Sequence, residues 1–412
     1  MVFDVAVVGA GPTGCMAAYT ASRLGLKTAL IEEHREAGQP LHCTGKLTAR
    51  AFEEFNLPKD IILNSVRGAY LYSPSNVRLR VCKEDVESHI IDREALDGWL
   101  AGRACGVGVE FLTGMRCLEV TGHGGFKRLR LRGEENSLEV LTRLIIDAEG
   151  ANATLLRGMG LRGAESFLVG LQYEADGVDY ERDDYVELYF GSRFTPGFFG
   201  WIVPLGEHRA RVGLCVSSKA AYPCRKYLDS LLREHPVVSK KLRSAKLRRL
   251  FGGRIPLHGP ISKTYGDSFL VVGDAAAQTK STSGGGVYFG LKAARIAGET
   301  AAECLNAGDY SQQQLKRYES RWRAKFGSEL KFTSKVRTFL DRLSDRDLDL
   351  LFRLFGSDEK FMRIVEVYGD TAYQSRLLKP AALTAARVTL ENPSKLGLLL
   401  KFAAKGLLSI IR

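Results

Sequence analysis

Three observations predict an α/β protein, α+β overall. An apolar strand at the N-terminus runs straight into a glycine-rich turn and a helix. A second strand–glycine–helix unit recurs at 268–286, and much of the chain between them is written as strands. The expected architecture is a nucleotide-binding parallel sheet with an inserted antiparallel sheet and a helical C-terminal region. At 412 residues, two to three domains are expected at about 150 residues each.

Residues 3–8 form a short apolar run suited to a buried parallel strand. Gly9-Ala10-Gly11-Pro12-Thr13-Gly14 follows at once, residues 15–24 have helical spacing, and a second strand, Thr28–Ile31, ends at Glu32. This is G-x-G-x-x-G in its strand–turn–helix setting, with an acid 18 positions after the last glycine. Gly9, Gly11, Thr13 and Gly14 let a pyrophosphate approach backbone N–H groups at a positive helix end. Glu32 is placed to accept hydrogen bonds from an adenosine ribose, which argues against a 2′-phosphate there. The fingerprint suits NAD and FAD alike.

The choice between them comes from downstream. Residues 268–272 are another buried-strand pattern, closed by Gly273-Asp274 and three alanines, and Gly284-Gly285-Gly286 opens an alanine-rich helix at Val287. Asp274 at a strand end suits the hydroxyls of a ribityl chain, which NAD lacks. Gly285, Gly286 and Val287 let a flavin ring meet the backbone where the helix dipole stabilises its N1/C2 edge. An ordinary turn explains one glycine but poorly explains three, so the predicted cofactor is FAD, held on a Rossmann-like domain. Residues 90–97 read from strand into helix. That places Arg93 toward the cofactor's phosphates or ribityl, or as a plain surface residue of a first turn. Residues 109–112 and 115–120 read as paired strands, with Cys117 offering backbone groups to adenine. Residues 144–152 read as a strand and turn closing the nucleotide domain.

Composition excludes several classes. Apolar residues are 45% and charged residues 26%, an ordinary globular balance. No run approaches the ~18 uncharged apolar residues of a membrane span. Residues 2–8, interrupted by Asp4 and lacking a basic lead, do not read as a signal peptide. Eight cysteines stand without C-x-x-C or metal spacing, so no metal site is expected and the thiols read as reduced. The net charge is +12; residues 225–263 hold eleven Lys/Arg against two acids, and 376–412 hold seven against one. These stretches are either solvated basic faces or contacts with an anionic surface, lipid headgroups or nucleic acid. From Ser394 onward, Lys401, Lys405, Ser409 and Arg412 form one stripe in an otherwise apolar segment. That pattern fits a helix lying in a headgroup layer or one docked on the protein's own core.

With these elements in place, the sequence resembles FAD enzymes of the para-hydroxybenzoate hydroxylase-like fold, and within them the geranylgeranyl reductase family. The resemblance rests on three segments: Leu41-His42-Cys43-Thr44-Gly45-Lys46, which is similar to the family's Cys-x-Gly segment; residues 196–204, similar to its P-x-x-Y-x-W-x-F-P motif; and residues 278–286, similar to its flavin-side glycine loop. It covers about residues 1–325. Here Phe199 replaces the motif tyrosine and Val203 its last aromatic, Glu149-Gly150 replaces an Asp-Gly turn, Ala153 the serine usual soon after it, and Ser281 a loop proline.

The resemblance implies a reductase that saturates double bonds in geranylgeranyl chains of a membrane lipid, such as an archaeal-type ether phospholipid, using reduced FAD. It places Cys43, Thr44 and Lys46 beside the flavin, with Cys43 donating a proton or tuning the ring, although a thiol is only a weak acid and a structural cysteine is the other reading. Phe194, Phe198, Phe199 and Trp201 either wall an isoprenoid channel or form sheet core. The alternative activity is an FAD-dependent monooxygenase on an apolar or aromatic substrate. The implied electron donor is NADPH, a ferredoxin or another reductant, and no nucleic-acid partner is expected. The protein is expected in the cytoplasm, at the inner membrane face where a basic stretch meets lipid. The expected domains are 1–62, 84–164 and 260–325 for FAD, 63–83 and 165–259 for substrate, and a helical region 326–412.

Overall fold

The computed structural model describes residues 1–356, 358–377 and the single positions 380, 401, 402, 405 and 410. They gather in two compact units: Met1–Leu41 with Arg93–Ser166 and Ile255–Lys331, and His42–Asp92 with Phe167–Arg254 and Phe332–Arg412.

The first unit is built on an eight-stranded sheet. Val2–Val8 lies between Ser137–Asp147 and Thr28–Ile31, parallel to both; Glu110–Leu112 and Phe269–Val271 extend the parallel set on either side. Val8 pairs with Ile31 and with Asp147, so the strands end together and their following loops emerge at one edge. Ligands of open parallel sheets bind at such an edge. Helices Pro12–Arg23 and Val287–Asn306 approach closely because one is glycine-notched. A Cβ on Gly290 would stand 2.4 Å from Thr13 Oγ1, and one on Gly298 2.7 Å from Thr20 Cβ.

One expected pairing is corrected. Glu110–Leu112 pairs with Thr28–Ile31, whereas Arg116–His123 pairs with Phe126–Arg132 as a hairpin. The reason is Gly124-Gly125, both at positive φ, the turn chemistry a two-residue hairpin loop requires.

The second unit carries a seven-stranded sheet in the order Lys246–Pro256, Phe167–Asp176, Arg209–Ser217, Phe199–Gly206, Tyr185–Phe190, Gly68–Tyr72, Arg78–Cys82. It is not purely antiparallel: Tyr185–Phe190 and Gly68–Tyr72 run parallel. No hairpin joins those two strands, so no tight turn dictates their relative direction. One sheet face is apolar core, where Tyr70, Tyr185, Tyr189, Ile202, Val212 and Leu214 pack with Leu228 and Leu231 of helix Cys224–Glu234. On the other strand positions stand Gln172, Glu174, Trp201 and Arg211.

The units divide the chain at other places than the expected domain boundaries. Lys46–Thr48, Ser88–Ile91 and Ile62–Val66 form a three-stranded sheet within the second unit. Helix Asp345–Gly356 joins that unit through its acids: Asp345 accepts from the Ser192 amide and hydroxyl (2.9 and 2.8 Å), and Asp349 from Ser73 and from the Ser75 amide and hydroxyl. Most of the segment from Ser394 lies outside the described residues. Within it, Lys401 and Lys405 both close on buried Asp347 at 2.5 Å, and Phe402 packs edge-on to Phe339, so these three side chains favour docking on the protein itself. Among the described residues, no helix is long and apolar enough to cross a membrane.

Behind the second sheet, His235 is buried edge-on to Tyr189 and Phe194, its Nδ1 accepting from the amides of Val237 and Val238. Burial, reinforced by Arg193, lowers its pKa to about 4. The unfolded chain takes up this proton first as pH falls, so stability is full above about pH 6.5 and declines until about pH 4, by an amount on the order of 3 kcal/mol. His235→Gln should flatten that part of the stability–pH curve in urea titrations; an unaltered slope would show that another group sets it.

Candidate functional site

In the first unit the glycine turn is shaped by contact distances. Gly9 has φ +100° and a Cβ there would sit 2.4 Å from Ala148 O, while a Cβ on Gly14 would sit 1.8 Å from Gly9 O. These two glycines serve the fold. Gly11 differs: it precedes helix Pro12–Arg23, has no side-chain cap, and a Cβ on it would meet nothing within 4 Å. Open space beside uncapped amide N–H groups is what a pyrophosphate needs. Glu32 is fixed by its own neighbours, Oε2 accepting from the Ala10 amide (2.7 Å) and Oε1 from the His34 amide (3.0 Å). A carboxylate has about four acceptor sites, so it keeps room for ribose hydroxyls. Thr13 is wedged beside Gly273 and Gly290 and ties the two glycine segments together.

The second glycine segment fits a flavin in the same manner. A Cβ on Gly286 would stand 2.8 Å from Asp274 Oδ1 and 2.7 Å from Thr279 Cγ2; only glycine lets Asp274 reach the start of helix Val287–Asn306. Gly284, at positive φ, returns its amide to Lys280 O (2.8 Å), and Gly285 O accepts from the Lys280 amide (3.2 Å). Ser281 Oγ is buried with no hydrogen-bond partner among the described residues, a polar atom that a ligand at this loop would satisfy. Gln278, which sequence reasoning missed, braces the segment by accepting from the Gly273 amide (2.8 Å) and donating to Tyr318 Oη (3.0 Å).

Arg93 and Cys117 are both buried. Arg93 is buried and forms a forked pair with Asp97, Nη2 lying 3.1 Å from both carboxylate oxygens. Its charge is thus balanced within its own helix. The Cys117 thiol lies in the core beneath the sheet, where burial pushes its pKa up to about 12, leaving only its backbone for adenine. A register shift between Arg130 and Leu131 faces Cys117 and opens the ladder there.

The second unit explains the Cys-x-Gly spacing. Gly45 has φ +77°, and a Cβ would collide with Ile91 O (2.5 Å) and Arg211 Nη1 (2.6 Å). This turn brings the Gly45 N–H to within 3.4 Å of Cys43 Sγ, to which it donates. Thr44 Oγ1 and Trp201 Nε1 both donate to Gln172 Oε1, at 3.0 and 3.2 Å. Arg211, also buried, donates to Thr44 O (2.8 Å) and Ile91 O (3.1 Å) and pairs with Glu174. Lys46 donates to Ser88 Oγ (2.8 Å).

Beyond Trp201 the wall becomes aromatic. Phe199 meets Trp201 edge-on (6.3 Å) and stacks on Phe198 (4.2 Å), and Phe190 links Phe199 (5.5 Å) to Phe352 (5.8 Å). Arg337 approaches the Phe198 ring. Phe194 is not in this row; it packs with His235 on the core face. Gln172, Glu174, Arg211, Phe190 and Phe352 were missed by sequence reasoning. A signal existed for the first three: polar residues recurring inside strands whose alternate positions are apolar.

Residues 4–159 match the family model "FAD dependent oxidoreductase" and residues 167–250 match "Geranylgeranyl reductase catalytic domain". The chain is 33% identical over 360 residues to a digeranylgeranylglycerophospholipid reductase of Methanocaldococcus jannaschii, covering 86% of this chain and 91% of that protein. It is 35% identical over 374 residues to digeranylgeranylglycerophospholipid reductase 2 of Methanothermobacter thermautotrophicus, covering 87% and 93%. Among solved structures, it is similar to a geranylgeranyl bacteriochlorophyll reductase-like protein of Thermoplasma acidophilum, with TM-score 0.82, 26% identity and coverage of 97% and 99%.

The Gly11 observation yields a sharp expectation. Gly11→Ala should fold with unchanged thermal stability yet bind FAD at least about tenfold more weakly, a loss of about 1.4 kcal/mol. Fluorescence titration of the apoprotein reads this directly, and equal affinity would place the pyrophosphate elsewhere.

Proposed function

The chain belongs to the geranylgeranyl reductase family of FAD-dependent oxidoreductases, and we propose that it saturates carbon–carbon double bonds in the geranylgeranyl chains of a membrane phospholipid. The observation that carries this reading is the position of Trp201. Its indole N–H holds the same Gln172 oxygen that holds the Cys43–Gly45 turn, while its ring edge meets Phe199 at the start of the aromatic row. One side chain therefore joins a thiol-bearing turn to an apolar wall suited to an isoprenoid.

FAD, once reduced by a separate donor such as NADPH or a ferredoxin, supplies a hydride for one alkene carbon. The other carbon must gain a proton, and an isolated alkene accepts hydride poorly unless protonation leads or accompanies it. In this reading Cys43 gives that proton. The Gly45 amide, already donating to Sγ, stabilises the thiolate left behind, which solvent reprotonates between turnovers. Arg211 holds Thr44 and so the turn's position; it is a positioning residue. Phe198, Phe199 and Trp201 exclude water that would trap cationic character at the alkene. In this reading Gly11, Glu32, Asp274, Gly285 and Gly286 would hold the cofactor and Gly9 and Gly14 shape the turn that does so, with Thr13, Arg93, Cys117 and Val287 in support; the family resemblance adds Thr44 and Lys46. A substrate anchored in a bilayer requires the protein to work at a membrane surface.

Phenylalanine at 199, where the motif it resembles has tyrosine, leaves no hydroxyl at that position to compete for proton delivery. Cys43→Ala should retain FAD and lose about 10²- to 10³-fold in alkene reduction, in the range of a removed general acid. Mass spectrometry of the lipid product, gaining two hydrogens per reduced bond, measures it. Wild-type turnover in Cys43→Ala would eliminate the thiol as proton donor, and oxygen-dependent gain of one oxygen atom would replace the reductase reading with a hydroxylase.

A further inference from the structure

Part of the basic excess of residues 225–263, Arg243, Lys246, Arg248 and Arg249, lies along one edge of the second unit's sheet. Lys246–Pro256 is the terminal strand: it neighbours Phe167–Asp176 on one side and no other strand on its outer side among the described residues. From Arg243 to Leu250 every residue except Ala245 is exposed. Leu247 and Leu250 are 44% and 38% exposed, and they stand among Arg243, Lys246, Arg248 and Arg249. No Asp or Glu occurs between Glu234 and Asp267. Arg248 pairs with Asp176 at 2.7 Å, and the segment as a whole is strongly cationic.

Exposed leucines on a free sheet edge are an aggregation hazard unless something covers them. Strand alternation sends Leu247 and Leu250 to opposite faces. A protein partner or a nucleic acid docked on one face would leave the other leucine in water. A headgroup layer surrounds the edge from both faces, accepts both leucines and supplies phosphate for the cations. The same strand continues to Gly253, where a Cβ would stand 3.2 Å from His42 Cβ, next to Cys43. Three residues of strand, about 10 Å, separate Leu250 from that point.

We propose that the outer edge formed by residues 243–250 is the surface on which the protein settles on an anionic bilayer, with Leu247 and Leu250 inserted and Arg243, Lys246 and Arg249 against phosphates. The proposal rests on the lipid-reductase reading for its purpose and on exposure and charge for its place.

Flotation of the FAD-loaded protein tests it. Wild type should float with phosphatidylcholine vesicles containing phosphatidylglycerol, not with phosphatidylcholine alone, and should be released by salt. Leu247→Gln with Leu250→Gln, at unchanged charge, should lower the bound fraction about tenfold, and Arg243→Glu with Lys246→Glu should abolish the preference for anionic vesicles. Both double variants should keep FAD and reduce detergent-dispersed geranylgeranyl lipid at the wild-type rate. A wild type that does not float, variants that float equally well, or patch-dependent retention on DNA without flotation would overturn the proposal. A wild type that floats but reduces no lipid in detergent would instead count against the reductase reading alone.

Discussion

Arg211 sits mid-strand between Ala210 and Val212, both fully buried, and a charge in that position is tolerable only if its donors are answered. Glu174 takes Nε and Nη2, each at 3.0 Å, and the carbonyls of Thr44 and Ile91 take Nη1. The two carbonyls belong to segments nearly fifty positions apart, which the Ile91 amide ties again by donating to Gly45 O (3.0 Å). The path of the Cys43 turn therefore follows from one guanidinium. Breaking a buried pair typically costs 3–5 kcal/mol; with Glu174 partly exposed, the lower end applies.

The departures from the family pattern have local accounts. Glu149, in place of aspartate, spends its longer side chain on the next turn: Oε1 accepts from Thr154 Oγ1 (2.7 Å) and Oε2 from the Leu155 amide (3.0 Å), capping the short helix that starts there. Val203 is buried in a strand position where an aromatic would need more room. Asp147, at the end of its strand, keeps one buried oxygen unpartnered among the described residues, and burial together with Glu149 raises its pKa well above the ordinary carboxylate range.

Much of the nucleotide half was legible because its residues are close in sequence and constrained by backbone sterics. Gly9 to Gly14 and Gly284 to Gly286 announce themselves by spacing, and the aromatic row from Phe198 to Trp201 by local density. The Gly124-Gly125 hairpin is equally legible, since two adjacent glycines between β-rich runs mark a two-residue turn. Phe194 was grouped with Phe198 on sequence proximity, but an intervening turn at Gly197 puts it on the core face.

Sequence alone determined what short-range chemistry determines: the parallel-sheet nucleotide fold, the FAD-type glycine segments, the Cys-x-Gly turn and the cationic surplus. Tertiary structure decided which distant groups answer one another. It chose Gln172 and Arg211 as the supports of Thr44, Phe352 as the far end of the aromatic row, and Asp347 as the partner of Lys401 and Lys405. Such contacts join segments tens to hundreds of positions apart, and their strength depends on burial and distance, which no local pattern of residues encodes.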